Sequence, residues 1–150
     1  TRGRPMPLFR GATAKAILAH LPQRRLMQLY VQNQAAVAHA GLGNTYDEFV
    51  AALKPLRQQG YVVSHAEVDP SVVGIGVPLF GGGRAVIGSL SIVFPSERYP
   101  RRQEAHLAAD LQRASAALSA EIGRQAAPPR GGRGRAAPSQ RAKPRSRAPA

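Results

Sequence analysis

Residues 72–94 read VVGIGVPLF, then GGGR, then AVIGSLSIVF. Two apolar runs flanking a glycine cluster are the signature of a β-hairpin. Glycines 82 and 83 tolerate positive φ, so a two-residue turn fits there. That turn pairs Phe80 with Ala85 and sets a register. Ile75 then faces Leu90, Val73 faces Ile92 and Val77 faces Gly88, while Gly76 faces Ser89 and Gly74 faces Ser91.

Side chains alternate across a strand, so the two faces of this hairpin differ chemically. One face carries Val73, Ile75, Val77, Leu79, Leu90 and Ile92. Each contributes roughly 1.5–3 kcal/mol when fully buried, so this face needs an apolar partner. The other carries Gly74, Gly76, Ser89 and Ser91, a shallow floor with two hydroxyls and no bulk. Two readings fit that floor: close packing of a helix against glycine, or the base of a small-molecule pocket with a few polar groups in an apolar cleft.

Around the hairpin, 150 residues allow one domain. There is no cysteine, hence no disulfide framework, thiolate metal site or cysteine nucleophile. No apolar run approaches the ~20 residues that cross a bilayer, and no signal peptide is visible. The chain starts at Thr1, as a fragment or a processed piece would. The net charge of +13 is unevenly spread. Residues 126–150 hold seven of the 21 Lys and Arg and no acid. With nothing larger than alanine among their apolar side chains, they cannot offset their ordering entropy and are expected to be a disordered tail.

Before the hairpin, Pro5 and Pro7 hold residues 1–11 extended. A helix is expected from Ala12, burying Ile17, Leu18 and Leu21 and ending at Pro22. A short second helix follows over Arg24 to Tyr30, then an irregular connection with weak helical character over 31–44. Thr45 and Glu48 have capping-box spacing and open a third helix. Gly60 is placed to stop it and Pro55 to kink it. Tyr61 to Ser64 is a short strand, and 65–71 a polar loop. Pro78 removes a ladder donor, which expects an edge or a bulge there. After a turn at 95–98, a final helix runs from about Pro100 to Arg124, with Leu107, Leu111, Ala114, Leu118 and Ile122 as its stripe.

Chemistry-bearing motifs are sparse. GIG at 74–76 lacks the third glycine and the helix of a dinucleotide fingerprint, and GGGRAVIG lacks the Lys-Ser/Thr ending of a phosphate loop. His65, Glu67 and Asp69 form the one close ionisable cluster. Strand alternation could align them as metal ligands, but a solvated polar loop is the favoured reading. No Ser–His–acid order stands out. The expectation is therefore no enzyme, no metal and no cofactor. The basic tail reads first as a solubilising terminus; its Arg and Lys also suit weak, salt-sensitive contact with nucleic acid, without aromatic residues to stack on bases.

Two longer segments carry a resemblance. GRPMPLFRGATAKAILAHLP at 3–22 and LRQQGYVVSHAEVDPSVVGIGVPLFGGGRAVIGSLSIVFP at 56–95 resemble, in order and spacing, the effector-binding domain of isocitrate-lyase-regulator (IclR) type transcription factors. The likeness runs from about Gly3 to Gly123. It implies an α+β, GAF-like domain over residues 1–125: an antiparallel sheet flanked by helices, followed by the disordered tail at 126–150. It implies a cytoplasmic bacterial regulator that senses a small organic effector, often a carboxylate or aromatic, and forms dimers or tetramers. The family's winged helix-turn-helix and the first portion of its effector domain have no counterpart here, so operator DNA is expected to be held only by a part this chain lacks. No membrane partner is implied. Carried over, the effector-binding residues are Gly11, Ala12 and Thr13 at the start of the first helix, Ser64 before the acidic loop, and Gly74, Ser89 and Ser91 on the hairpin. Where the family often has a second polar residue, this chain has Val93.

Overall fold

The computed structural model describes residues 6–126. In chain order these form α1 (Ala12–Leu18), α2 (Gln23–His39), α3 (Tyr46–Gln59), β1 (Val62–His65), β2 (Val72–Phe80), β3 (Val86–Pro95) and α4 (Glu104–Ala126). Two 3₁₀ turns, Ser96–Arg98 and Arg101–Gln103, lead into α4. The three strands form one antiparallel sheet in the order β1-β2-β3. The α+β class and the hairpin stand. The expected tail lies outside the described residues, apart from Ala126, which ends α4.

The hairpin register differs from the expected one by two residues. Ile75 opposes Ile92, Gly76 opposes Ser91, Val77 opposes Leu90 and Gly74 opposes Val93. The connection is longer than a two-residue turn: Gly81 N–H donates to Ala85 O at 2.9 Å, Arg84 takes the positive φ (64°), and a bulge falls at Leu79/Phe80. A run of three glycines does not specify which residues turn. Because strand side chains alternate with period two, a two-residue shift leaves every residue on its expected face.

Each face has its own cover. On one, Ile75 and Val77 are fully buried against Ala108 and Leu111 of α4, with Leu90, Ile92 and Phe94 around them. On the other, Ala12 and Ala16 of α1 pack with Val62. A third core cluster joins α2 and α3 through Leu26, Leu29, Tyr30, Val37, Phe49 and Leu53, and Phe9 and Leu18 reach it from the α1 region. The Phe9 and Phe49 rings meet edge-on at 6.1 Å.

Local expectations are met at Thr45 and Gly60 and corrected over 31–44. The 31–44 connection is helical as far as His39, because Leu26, Leu29, Tyr30 and Val37 keep a continuous buried stripe. Asn33 interrupts it at φ −140°, with its side-chain amide donating to Leu29 O at 2.8 Å. Helix α3 runs on through Pro55, whose ring and the Ala51 it faces are both exposed. At its start Thr45 Oγ1 accepts from Glu48 N–H at 3.2 Å, but the Glu48 carboxylate reaches Asn44 N–H rather than Thr45. Gly60 ends it at φ 78°.

Pro78 lies in the central strand, not an edge strand. Strand β1 pairs only as far as Gly76, however, so β2 has a local free side beyond it. The hydroxyls of α4 fill that side: Ser115 donates to Pro78 O at 2.6 Å, and Phe80 N–H donates to Ser119 Oγ at 3.3 Å. This also corrects the stripe of α4. The helix turns Ala108, Leu111 and Ser115 to the sheet and leaves Ala114 and Leu118 exposed. A stripe chosen by hydrophobicity alone misses small residues selected for close approach and serine selected for a strand's unpaired carbonyl.

Candidate functional site

A cavity of about 560 Å³ opens between α1, the segment before it, the loop after β1 and the glycine-bearing face of the sheet. The floor follows from strand alternation. Ser64, Gly74 and Ser91 are on the face turned to α1, and all three line the cavity. Ser64 is buried at 7% exposure. A Cβ at Gly74 would sit 3.4 Å from Ser64 Oγ and 3.5 Å from Ala12 Cβ, in ordinary contact. Gly76 behaves differently: a Cβ there would stand 2.7 Å from the Ala12 carbonyl oxygen. Both readings of the small-residue face are thus realised at different positions. Gly76 admits the helix backbone, and Gly74 leaves room.

Gly11, Ala12 and Thr13 line the cavity from the α1 side. Gly11 is buried at φ 86°, and a side chain there would strike Val68 at 2.8 Å. Its N–H is not open to a ligand, because it donates to Glu67 Oε2 at 2.8 Å. Lys15 Nζ reaches the same carboxylate at 2.8 Å. Thr13 Oγ1 and Ser91 Oγ lie 3.2 Å apart, linking α1 to β3 across the floor.

Ser89 is the exception among the expected residues. The register shift places it opposite Pro78 rather than Gly76, and it does not line the cavity. Its hydroxyl is buried without a hydrogen-bond partner among the described residues.

The expected site residues do not include the apolar walls formed by Ile17, Leu21 and Leu29, or the charged Arg10, Arg25, Glu67 and Asp69. Glu67 was legible only as part of the 65–69 cluster. Glu67 and Asp69 of that cluster both line the cavity, and His65 lies apart from them. His65 meets the Tyr99 ring edge-on at 5.5 Å on the α4 face, while Glu67 turns to α1. No group of three potential metal-ligating side chains occurs among the described residues.

With this geometry in view, residues 1–120 match the family described as the bacterial transcriptional regulator IclR C-terminal domain. The chain belongs to that family. The HTH-type transcriptional regulator KipR of Bacillus subtilis is 27% identical over 121 residues, covering 81% of this chain and 48% of KipR. The HTH-type regulator KdgR of Dickeya chrysanthemi is 30% identical over 123 residues, covering 40% of its own length. The chain thus spans about half the length of these curated relatives. Among solved structures, the C-terminal domain of E. coli KdgR superposes with a TM-score of 0.68 at 27% identity, covering 81% of this chain and 74% of that one. A C-terminal domain of a transcriptional regulator from Vibrio cholerae gives 0.60 at 30% identity, covering 79% and 67%. The family model and these relatives carry the names of transcriptional regulators, not of enzymes. No helix among the described residues is long and apolar enough to cross a membrane.

Proposed function

We propose that this IclR domain is the ligand-sensing part of a cytoplasmic bacterial transcriptional regulator. Its cavity takes a small organic effector, a carboxylate or an aromatic. Residues 1–125 act as the sensing unit, and the protein works as a dimer or tetramer. DNA recognition belongs to a winged helix-turn-helix outside this chain.

One observation carries this reading: an apolar-walled cavity of about 560 Å³ whose floor is kept open by Gly74 and dressed with the hydroxyls of Ser64, Ser91 and Thr13. That is the composition of a small-molecule site, largely apolar with a few placed polar groups. The small-residue floor supplies volume, and the hydroxyls supply direction.

Calorimetry of the 150-residue chain with a panel of small aliphatic and aromatic carboxylates tests it, comparing the natural chain with Ser91→Leu. Binding that is lost in Ser91→Leu supports the floor. Equal affinities would remove it.

A second reading rests on residues 126–150, with seven cationic side chains and no acid. They would give weak, sequence-tolerant DNA contact that falls with salt. Retention on DNA at two salt concentrations, with and without the tail, separates the two. Unchanged retention after deletion would discard the tail.

A further inference from the structure

The cavity has different charge chemistry at its two ends. Glu67 meets the start of α1 at one end, and the lining at the other runs past the end of α1 to Leu21 and Arg25. Seven residues at 1.5 Å rise make α1 about 10 Å long, which sets the approximate span between them. At the first end the carboxylates of Glu67 and Asp69 and the guanidinium of Arg10 all line the cavity. Glu67 takes both the Gly11 N–H and the Lys15 ammonium, and its own charge opposes a second carboxylate. At the second end Arg25 bonds only the neutral side-chain oxygen of Gln28, at 3.3 Å, and has no acidic partner among the described residues. Ile17 and Leu21 line the cavity between the two ends.

We propose that Arg25 is the residue through which this cavity selects anions. It holds the acid group of an elongated amphipathic ligand, with the apolar body along Ile17 and Leu21. The opposite end of the ligand rests at the Thr13–Ser91 hydroxyls. The inference rests on the cavity being the effector site, and it sets the acid group at the end of the cavity away from the start of α1. The guanidinium fork suits a carboxylate, with two parallel hydrogen bonds. Arg10 also lines the cavity, but it adjoins Gly11 at the Glu67 end and serves as the control.

The test titrates the full 150-residue chain with octanoate and with 1-octanol, which share a chain and differ in charge, and measures the ratio of their affinities. The natural protein is expected to prefer octanoate by about fivefold, the upper range for an exposed ion pair. Arg25→Gln is expected to bring the ratio to about one while leaving octanol binding unchanged, and Arg10→Gln to leave the ratio alone. A preference that survives Arg25→Gln, or its absence from the natural protein while octanol still binds, overturns the role of Arg25 and leaves the cavity as a site. Failure of both probes to bind at millimolar concentration overturns the effector-site reading together with this one.

Discussion

The Glu67 carboxylate accepts the backbone N–H of Gly11 at 2.8 Å, tying the loop after β1 to the first residue of the α1 turn. Lys15 closes the same contact from one turn further along, with its side chain only 14% exposed. An acceptor from a distant loop thus satisfies a helix-start donor that would otherwise face the cavity. The tie holds the loop and α1 together as two walls of one site.

Glu67→Gln keeps an oxygen for Gly11 but removes the charge facing Lys15. A half-buried ammonium without its partner is expected to cost about 1–3 kcal/mol, read as a lower urea midpoint at unchanged slope. A double-mutant cycle with Lys15→Met should recover part of the loss. An unchanged midpoint in Glu67→Gln would show that the tie contributes nothing to the fold.

The two glycines of β2 should respond differently to one added methyl group. Gly76→Ala drives its Cβ into the backbone of Ala12, which cannot move without shifting α1, and is expected to destabilise by about 1–3 kcal/mol. Gly74→Ala makes only ordinary contacts. It is expected to fold normally and to weaken ligand binding by raising the cavity floor. Thermal unfolding of the two variants side by side checks this, and equal losses would contradict it.

Alternation along 72–94 was enough to separate the packed face from the small-residue face, because face assignment depends only on parity. Register depends on which loop residues turn, and three successive glycines leave that open. Gly76 and Gly74 look alike in sequence, yet only the placement of the Ala12 carbonyl distinguishes packing from space. Glu67 was invisible as a cavity residue because its partners lie 56 and 52 positions away. The roles of Ser115 and Ser119 in α4 are hidden for a similar reason: their value lies in the unpaired end of β2, which no helical periodicity records.

Ser115→Ala tests that last contact. It leaves the Pro78 carbonyl without its hydroxyl donor in a buried setting and is expected to cost about 1–2 kcal/mol. The loss should appear as faster amide exchange in β2 near Phe80. Exchange and stability like the natural protein's would mean that the bond is dispensable.

Tyr99 gives the fold an alkaline limit. Burial chiefly, then its hydrogen bond to Glu104 and that carboxylate's charge, hold its phenol well above the ordinary value near 10. The folded state therefore favours the protonated phenol. This contribution is full below pH 10, the unfolded value, and is lost as pH rises from there toward the folded value. Absorbance titration should show a phenol that resists ionisation in the folded chain and titrates near 10 in urea. Tyr99→Phe should remove the resistant phase. A titration with no resistant phase would contradict the assignment.

The central claim is that the space between α1 and the glycine-bearing face of the sheet receives the effector. Backbone amide chemical shifts during titration of the ¹⁵N-labelled chain with a carboxylate that binds it test this most directly. The account expects the largest changes at Gly11, Thr13, Gly74 and Ser91, with little change along the exposed side of α4. Saturable binding that leaves those four amides unmoved and perturbs another surface would contradict it.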